Sequence, residues 1–216
     1  MGFPKTAGMN LGIATITSTG ENASFPRTNL SDYRENTLWK GATSGVQTLT
    51  FDLGSAIQCD FLAIASSNHR SMLEVHLIAG DDGVNFPTVP INNLHSATRT
   101  AYNSTADYHD FTAVTKRYWR ISYANTNSLV PEAGLIFIGK KLTFETECEG
   151  PSEAEDPQYE TSFARAVDGT PRSSQIFAGV KQWKLPFTLQ TDTFLAAYRT
   201  FVSTVRGRLR PFYFID

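Results

Sequence analysis

The sequence predicts a mainly β protein, with a jelly-roll β-sandwich followed by a small β-α-β module. Residues 1–144 are rich in Ser, Thr and Asn, and short apolar segments alternate there with turn signals such as Asp-Gly, which is typical of a sandwich or jelly roll. A helical apolar pattern appears only near the C-terminus, between two candidate strands. Aromatic side chains make up 12% of the 216 residues, which suits a β-rich core.

The composition excludes several classes of protein. The chain is 41% hydrophobic and carries 19 basic against 21 acidic side chains, so it is too apolar and too nearly neutral to be disordered. A net charge of -2 provides no electrostatic reason to bind nucleic acid or an anionic membrane. No segment approaches the roughly 20 apolar residues of a membrane helix, and the N-terminus lacks the apolar core of a signal peptide. We therefore expect synthesis in a cytoplasm, no membrane insertion and no nucleic-acid partner.

Strand patterns recur through the first region. The segment TLTFDLG (48–54) alternates, directing Leu49, Phe51 and Leu53 to one face. Further strand candidates are DFLAIAS (60–66), LEVHLIAG (73–80), RYWRISY (117–123) and LIFIGKKLTF (135–144).

Residues 145–173 predict an acidic extended arm or linker. Seven acids fall between Glu145 and Glu160, and Pro151 and Pro157 interrupt the stretch. Like charges repel and proline breaks regular structure, so this segment reads as a solvated connection. The alternative is a long arm that packs on a neighbouring subunit.

Residues 174–216 predict a strand, a helix and a second strand. Alternating apolar residues predict the first strand over 180–189, and RLRPFYFID predicts the last. Between them, Asp192 is a candidate N-cap and Gly207 a C-terminal stop. One helical face carries Phe194, Leu195, Tyr198, Phe201, Val202 and Val205. The unit is too small to be independent, so we expect it to recruit the 135–146 strand, the arm or another chain.

Charge is divided between the arm and this last segment. From Glu160 onward there are eight basic residues and four acids, directly after the acidic arm. Opposite charges on adjacent segments favour head-to-tail contacts between copies, as in a ring, and pairing within one subunit is an equal alternative. The 174–216 segment is thus predicted to be an oligomerisation module. Its predicted interface residues are Glu153, Glu155, Asp156, Lys181, Lys184, Arg206, Arg208 and Arg210.

No catalytic motif is present. The chain has no nucleophile elbow, Walker loop, dinucleotide fingerprint or zinc-protease motif, and its four histidines are scattered. Asp107, His109 and Asp110 lie in one polar segment, which reads either as a binding loop or as a solvated loop. Cys59 and Cys148 are predicted to be reduced, structural thiols. We predict no enzyme activity, no cofactor and no metal.

The ordered motifs of the first region resemble the discoidin, or galactose-binding-like, domain. They are NLSDYRENTLWKG (29–41), TLTFDLGSAIQCDFLAIA (48–65), VHLIAGDDGVNF (75–86) and RYWRISY (117–123). The resemblance covers about 20–143 and implies an eight-stranded jelly roll with a core of Trp39, Phe51, Leu53, Phe86, Trp119 and Ile121. Asp32 matches an aspartate of the loop that holds calcium in some members, but that loop has become SDYRENTLW here.

Members of that family bind sugars, lipids or proteins through loops at one end of the sandwich. Aromatic faces stack on sugar rings, and Arg, Asn or His side chains hydrogen-bond their hydroxyls. The resemblance therefore implies these candidate ligand-binding residues: Tyr33, Asn68, His69, Arg70, Tyr108 and His109.

The C-terminal segment resembles the ring-forming module of tailed-phage distal-tail and tail-tube-like proteins. The similar features, over about 140–216, are GVKQWKLPFTL, a helix ending Arg206-Gly207, and PFYFID. The resemblance implies a structural virion protein at the tail tip or baseplate, forming a ring, for which a hexamer is one option. Its sandwich would serve as an adaptor or glycan-binding surface, with other tail proteins and a host-surface glycan as partners. The alternative is a free-standing carbohydrate-binding module.

Overall fold

The structure is a computed structural model. It describes residues 6–10, 13–32, 34, 37–96, 107–145, 152–153, 161–165, 171–175, 183–184, 191–205 and 213–215. The strands within these ranges are β1 (Thr6–Asn10), β2 (Thr15–Ser18), β3 (Trp39–Lys40), β4 (Gln47–Ile64), β5 (Glu74–Gly80), β6 (Asn92–Ser96), β7 (Asp107–Asn125), β8 (Glu132–Ala133), β9 (Ile136–Thr143), β10 (Ser152–Glu153), β11 (Thr161–Arg165), β12 (Pro171–Gln175), β13 (Trp183–Lys184) and β14 (Tyr213–Ile215). The helix α1 spans Asp192–Val205, and short 3₁₀ turns span Arg27–Leu30 and His69–Ser71.

One antiparallel sheet forms most of the fold, in the order β14-β1-β9-β4-β7-β5-β6, with β2 also pairing with β4. The long strands β4 and β7 belong to two layers. The first half of β4 pairs with β2 and with the end of β7, and its second half pairs with β9 and with the start of β7. Ile64 and Ile138 from one layer share a buried cluster with Phe51 and Trp119 from the other. The predicted antiparallel, sandwich-like β fold is therefore confirmed.

The predicted strands 48–54 and 60–66 are one strand, β4, with an irregularity between them. The register with β7 shifts between Asp52 and Ile57. Gly54 lies at this point with φ of 80°, a left-handed conformation that glycine adopts at no steric cost, and its N–H donates to the Asp52 carboxylate at 2.7 Å. The irregularity lets a single chain segment contribute to both layers.

The core matches the prediction with one exception. Five of the six expected side chains are buried: Trp39, Phe51, Leu53, Trp119 and Ile121. Phe86 is only partly buried, and the Arg120 guanidinium lies 3.8 Å from its ring centroid. Cys59 is a buried free cysteine, and burial raises the pKa of its thiol to about 12.

The helix occupies the predicted residues and packs against the end of β9. Phe194 and Phe201 are buried, and the ring of Phe194 lies 5.3 Å from that of Phe144. The predicted N-cap was wrong by one residue, because Thr191 Oγ1, not Asp192, accepts the N–H of Phe194 at 3.3 Å.

The Glu145 side chain attaches the start of α1 to the sandwich. Its carboxylate accepts the backbone N–H of Thr191 at 2.7 Å and the Thr191 hydroxyl at 2.6 Å. These hydrogen bonds lower the pKa of Glu145 below its ordinary value.

The C-terminal elements do not stand apart from the rest of the chain. β14 pairs with β1, which pairs with β9, so the last strand extends the main sheet. β13 pairs with β10 of the predicted arm, and β11 pairs with β12, so the stretch predicted as extended arm contains strands. Of the partners expected for the C-terminal unit, the arm pairs with β13, whereas β14 pairs with β1 and not with the 135–146 strand. The three-part domain division stays a prediction. No helix in the described ranges is long and apolar enough to cross a membrane.

Candidate functional site

Three loops, 41–46, 65–73 and 126–131, meet at one end of the sandwich, which we call the loop end. The first and third are joined by the N–H of Gly41, which donates to the carbonyl of Pro131 at 2.8 Å. The predicted site residues Asn68, His69 and Arg70 belong to the second loop.

Asn68 fastens its loop to the neighbouring one. Its Nδ2 donates to the carbonyl of Val130 at 2.8 Å, and its Oδ1 accepts the N–H of Glu132 at 2.9 Å. The nitrogen and the oxygen of the Asn68 side chain therefore both bond to the neighbouring loop, and these bonds make the loop end more rigid. A direct contact between Asn68 and a ligand stays a prediction.

Asp107, the first residue of β7, is the centre of a buried polar network beneath this loop. Its side chain is 5% exposed, and Arg70 Nε donates to its Oδ1 at 2.8 Å. The Ser67 hydroxyl donates to Oδ2, and His69 Nδ1 lies 3.9 Å from the same oxygen. The carboxylate therefore orients the Arg70 guanidinium and balances its charge.

The His69 side chain is buried at the edge of the core and is only 1% exposed. Its Nε2 lies 2.9 Å from the Tyr123 hydroxyl, and the two rings meet edge to face at 5.1 Å. Tyr123 stacks on Trp39, with ring centroids 5.8 Å apart. Burial, with a contribution from the charge of Asp107, raises the pKa of Tyr123, so its phenol stays protonated.

Ser67, His69 and Asp107 have the residue types of a catalytic triad but not its geometry. The serine hydroxyl donates to the aspartate, and His69 Nε2 lies against Tyr123 instead of Ser67. A nucleophile and its base must be hydrogen-bonded to each other, so this network does not activate the serine. Its physical effect is to hold Arg70 in place.

The Arg70 side chain is partly exposed, and the loops of the loop end carry exposed apolar side chains. Its side chain is 26% exposed, five times the exposed fraction of its 5% exposed partner Asp107. Leu73, Leu129 and Val130 on the same loops are each more than a third exposed. The loop end thus presents a partly exposed cationic side chain and exposed apolar side chains, a combination that suits a ligand with polar edges and apolar faces.

The loop 126–131 contains a tight turn with two left-handed residues. Asn127 has φ of 52° and Ser128 has φ of 61°, and the N–H of Leu129 donates to the carbonyl of Thr126 at 3.0 Å. Two positive φ values at the central positions are those of a type I′ turn. This backbone brings Leu129 and Val130 to the surface.

Tyr108 and His109 are not part of this cluster. His109 pairs in register with the core residue Leu62 and is 6% exposed. Tyr108 points to the opposite face of the strand, where its ring stacks on Phe61 at 6.3 Å. Burial, together with two nearby aspartates, raises the pKa of Tyr108 to about 12.

The side chains of the remaining predicted site residues lie outside the described part of the structure. Tyr33, Glu155, Asp156, Lys181, Arg206, Arg208 and Arg210 lie outside the described residues, and Glu153 and Lys184 are described only by their backbone, in β10 and β13. The predicted oligomer interface therefore stays a prediction.

Asp32, at the position of the family's calcium-loop aspartate, closes its own loop. Its Oδ1 accepts the N–H of Arg34 at 2.9 Å, and both carboxylate oxygens lie 3.0 Å from the Thr37 hydroxyl. In the part of the chain that the structure describes, no three His, Cys, Asp or Glu side chains are grouped to hold a metal ion.

The sequence pattern did not identify Asp107 as the partner of Arg70. Asp107 stood in a polar segment with His109 and Asp110, and the pairing with Arg70 spans 37 residues. No local spacing signals a contact of that separation. The prediction of a loop there was wrong, because Asp107, His109 and Asp110 lie in the strand β7.

No protein-family model matches the chain, and no curated protein matches it. Solved structures similar in fold include a family 32 carbohydrate-binding module of AlyQ in complex with 4,5-unsaturated mannuronic acid, with 25% identity, a TM-score of 0.48, and 60% of this chain and 97% of that chain covered. Another is the family 32 module of NanJ from Clostridium perfringens in complex with galactose, with 17% identity, a TM-score of 0.49, and coverage of 62% and 98%. A third, CpGH89CBM32-5 from the same organism in complex with GalNAc-β-1,3-galactose, has 15% identity, a TM-score of 0.48, and coverage of 58% and 94%.

Proposed function

We propose that this protein is a non-catalytic glycan-binding protein whose ligand contacts Arg70 at the loop end. The observation that carries the proposal is the partly exposed Arg70 side chain, whose guanidinium is held by the buried carboxylate of Asp107. A donor that is already oriented loses little conformational entropy when a sugar hydroxyl accepts its hydrogen bond. Sugars are among the ligands that the resemblance of the motifs in 29–123 implies.

The surroundings of Arg70 support the same ligand class. Leu73 and Val130 provide exposed apolar surface on the loops that meet at the loop end. A pyranose presents C–H groups on its faces and hydroxyls at its edge, so it matches an apolar surface with a donor at its side. The pairing with Asp107 leaves little net charge, which favours hydroxyls over a strongly anionic ligand.

The experiment is a glycan array probed with the full chain, followed by calorimetric titration of the best glycan. We expect Arg70→Ala to weaken binding by about tenfold or more, the loss of at least one charge-assisted hydrogen bond. Arg199→Ala, which removes an exposed arginine on α1, is the matched control and should bind like wild type. Thermal melting of each variant separates lost binding from lost folding.

Leu73→Ala supplies a second test if Arg70→Ala fails to fold. It removes apolar contact surface from an exposed position and should weaken binding without lowering the melting temperature. Absence of any bound glycan on the array would refute the proposal. The proposal would also be refuted if the Arg70→Ala and Leu73→Ala variants, both folded, bound the glycan as tightly as the wild-type protein.

A second proposal is that the same chain is a structural virion protein of a tailed phage, at the tail tip or baseplate. The specific observation that favours self-association is an apolar stripe on α1. Leu195, Tyr198 and Val202, at the i, i+3 and i+7 positions, are 40%, 41% and 37% exposed. Helix residues at this spacing share one face, and an exposed apolar face on a helix suits a neighbouring subunit or another tail protein.

Sedimentation velocity over a wide concentration range tests this second proposal. We expect a ring-sized oligomer that dissociates when Leu195 and Val202 are both replaced by Glu. Thr193→Glu, on an exposed position of the same helix, should not affect assembly. A strictly monomeric chain at high concentration, or an oligomer indifferent to the double substitution, would exclude assembly through α1.

A further inference from the structure

A groove separate from the loop end lies between β2 and the 3₁₀ turn Arg27–Leu30. Its volume is about 270 Å³. The residues that line it are Ile13, Ala14, Thr15, Ile16, Arg27, Thr28 and Ser31. None of these residues belongs to the loops around Arg70.

Both walls of the groove are held by the fold. On one side the N–H of Ala14 donates to the carbonyl of Asp52 at 2.9 Å, which attaches the start of β2 to β4. On the other side Leu30 is buried in the core, and Asn29 Nδ2 donates to the carbonyl of Leu38 at 2.8 Å. The groove therefore exists before any ligand arrives.

Arg27 is fixed across the groove and its charge is balanced. Its Nε donates to the carbonyl of Ile16 at 2.9 Å, and its Nη1 is paired with Glu21 Oε1. Glu21 Oε2 also accepts the backbone N–H of Arg27 at 2.8 Å. The Arg27 side chain is 41% exposed, and its Nη2 has no hydrogen-bond partner among the described residues.

Hydroxyl groups and apolar side chains complete the lining. Thr15, Thr28 and Ser31 are exposed, and within the described ranges none of their side-chain hydroxyls bonds to another protein group. Ile13 and Ile16 are partly buried and pack against the core. The groove thus combines four unused hydrogen-bonding groups with an apolar floor.

We propose that this groove binds one neutral saccharide unit. Its volume is just below the range of pockets for drug-sized ligands, which fits a single sugar ring. Arg27 Nη2 and the hydroxyls of Thr28 and Ser31 hydrogen-bond the sugar hydroxyls, and a face of the ring lies on Ile13. Because Glu21 neutralises Arg27, a carboxylate on the sugar gains nothing here.

This site is independent of the one proposed at Arg70. A chain with both would contact a glycan at two places, and the second contact would raise the overall affinity through effective concentration. The two proposals rest on different residues, so each can fail alone.

The test is an NMR titration of the ¹⁵N-labelled full chain with glucose, galactose and N-acetylglucosamine, each up to about 50 mM, well above the Kd of about 1 mM expected for one sugar ring. With at least one sugar we expect saturable shifts of the amides of 13–16 and 28–31. Thr28→Val with Ser31→Ala should weaken that binding about tenfold, since two hydrogen bonds are lost. Thr17→Val, which removes an exposed hydroxyl elsewhere on β2, is the matched control.

Site-resolved shifts distinguish the two proposals. Shifts confined to the amides of 67–73 that vanish in Arg70→Ala would overturn the groove site and leave the loop-end proposal intact. The groove proposal is also overturned if none of the three sugars shifts its amides, if glycerol shifts them equally, or if the double variant binds like wild type. Glucuronate binding more tightly than glucose would contradict the neutral-ligand assignment.

Discussion

Replacing Asp107 by Ala should destabilise the protein substantially, because one buried carboxylate serves three neighbours. The carboxylate accepts hydrogen bonds from Arg70 and Ser67 and lies 3.9 Å from a ring nitrogen of His69. A hydrogen bond to a charged group contributes about 1.5–3 kcal/mol when buried. The Arg70 side chain is 26% exposed and is partly rehydrated, so about 1 kcal/mol is the appropriate figure for that bond.

The expected total follows from these contacts. About 1 kcal/mol from Arg70 and about 1–3 kcal/mol from the groups left buried beside it place the loss at about 2–4 kcal/mol. For a chain of this size that corresponds to a fall of about 10 °C in the melting temperature. Asp107→Asn keeps a hydrogen-bond acceptor and nearly the same shape, so it should lower the free energy of unfolding by less than half as much as Asp107→Ala.

Urea unfolding followed by tryptophan fluorescence measures the loss, and a double-mutant cycle with Arg70→Ala isolates the pair. The coupling between Asp107 and Arg70 should be about 1 kcal/mol. Asp107→Ala should also weaken glycan binding although the carboxylate does not touch the ligand, because Arg70 loses its orientation. The assigned role of the network would be refuted if Asp107→Ala lowered the free energy of unfolding by less than about 0.5 kcal/mol and its effect simply added to that of Arg70→Ala.

Three further predictions concern other parts of the fold. Phe194→Ala removes the ring that packs on Phe144 and should lower the free energy of unfolding by about 3 kcal/mol, measured by urea unfolding. Asp52 accepts two hydrogen bonds of 2.8 Å from Arg117, which hold the pKa of that carboxyl below its ordinary 3.8. Its stabilising contribution is therefore present above pH 4 and is lost as the pH falls through the lowered pKa, so Asp52→Asn should flatten the acid limb of a thermal-stability profile. Ser128→Gly should stabilise the turn by about 0.5–1 kcal/mol because glycine adopts a φ of 61° without strain, which a raised melting temperature would register.

Each of these has a clear contrary outcome. Wild-type stability of the Phe194 variant would mean that α1 does not depend on the sandwich for its stability. Parallel acid limbs for Asp52→Asn and wild type would exclude the ion pair as a stabilising contact. A lower melting temperature for Ser128→Gly would show that the serine side chain stabilises the turn more than its backbone conformation costs.

Local patterns predicted the elements that depend on near neighbours. The apolar face of 194–205 and the polar residues before it identified the helix, because helix contacts recur every three or four residues. The alternation in 48–54 likewise identified Phe51 and Leu53 as core residues. Thr50, on the outward side of the same alternation, is nevertheless buried, because Arg120 from the adjacent strand donates to its hydroxyl at 3.0 Å.

Pairings between distant segments were beyond those patterns. β1 at the N-terminus pairs with both β9 and β14, and no local signal in TAGMN identifies either partner. Gly8 marks the position, since a Cβ there would lie 2.5 Å from the Phe61 ring, but that ring is 53 residues away. For the same reason the sequence predicted two strands where the structure has one. The continuity of β4 across Gly54 depends on its pairing with neighbouring strands.

By itself the sequence determined the β-rich class, the strand and helix segments and most of the core, since alternation and helical periodicity are properties of consecutive residues. It also placed Asn68, His69 and Arg70 in one loop. Only the tertiary structure decided their different roles: Asn68 fastens the loop, His69 is buried, and Arg70 reaches the surface. The physical reason is that these roles depend on Val130, Tyr123 and Asp107, which lie far along the chain and meet the loop only when the sheet has folded into two layers.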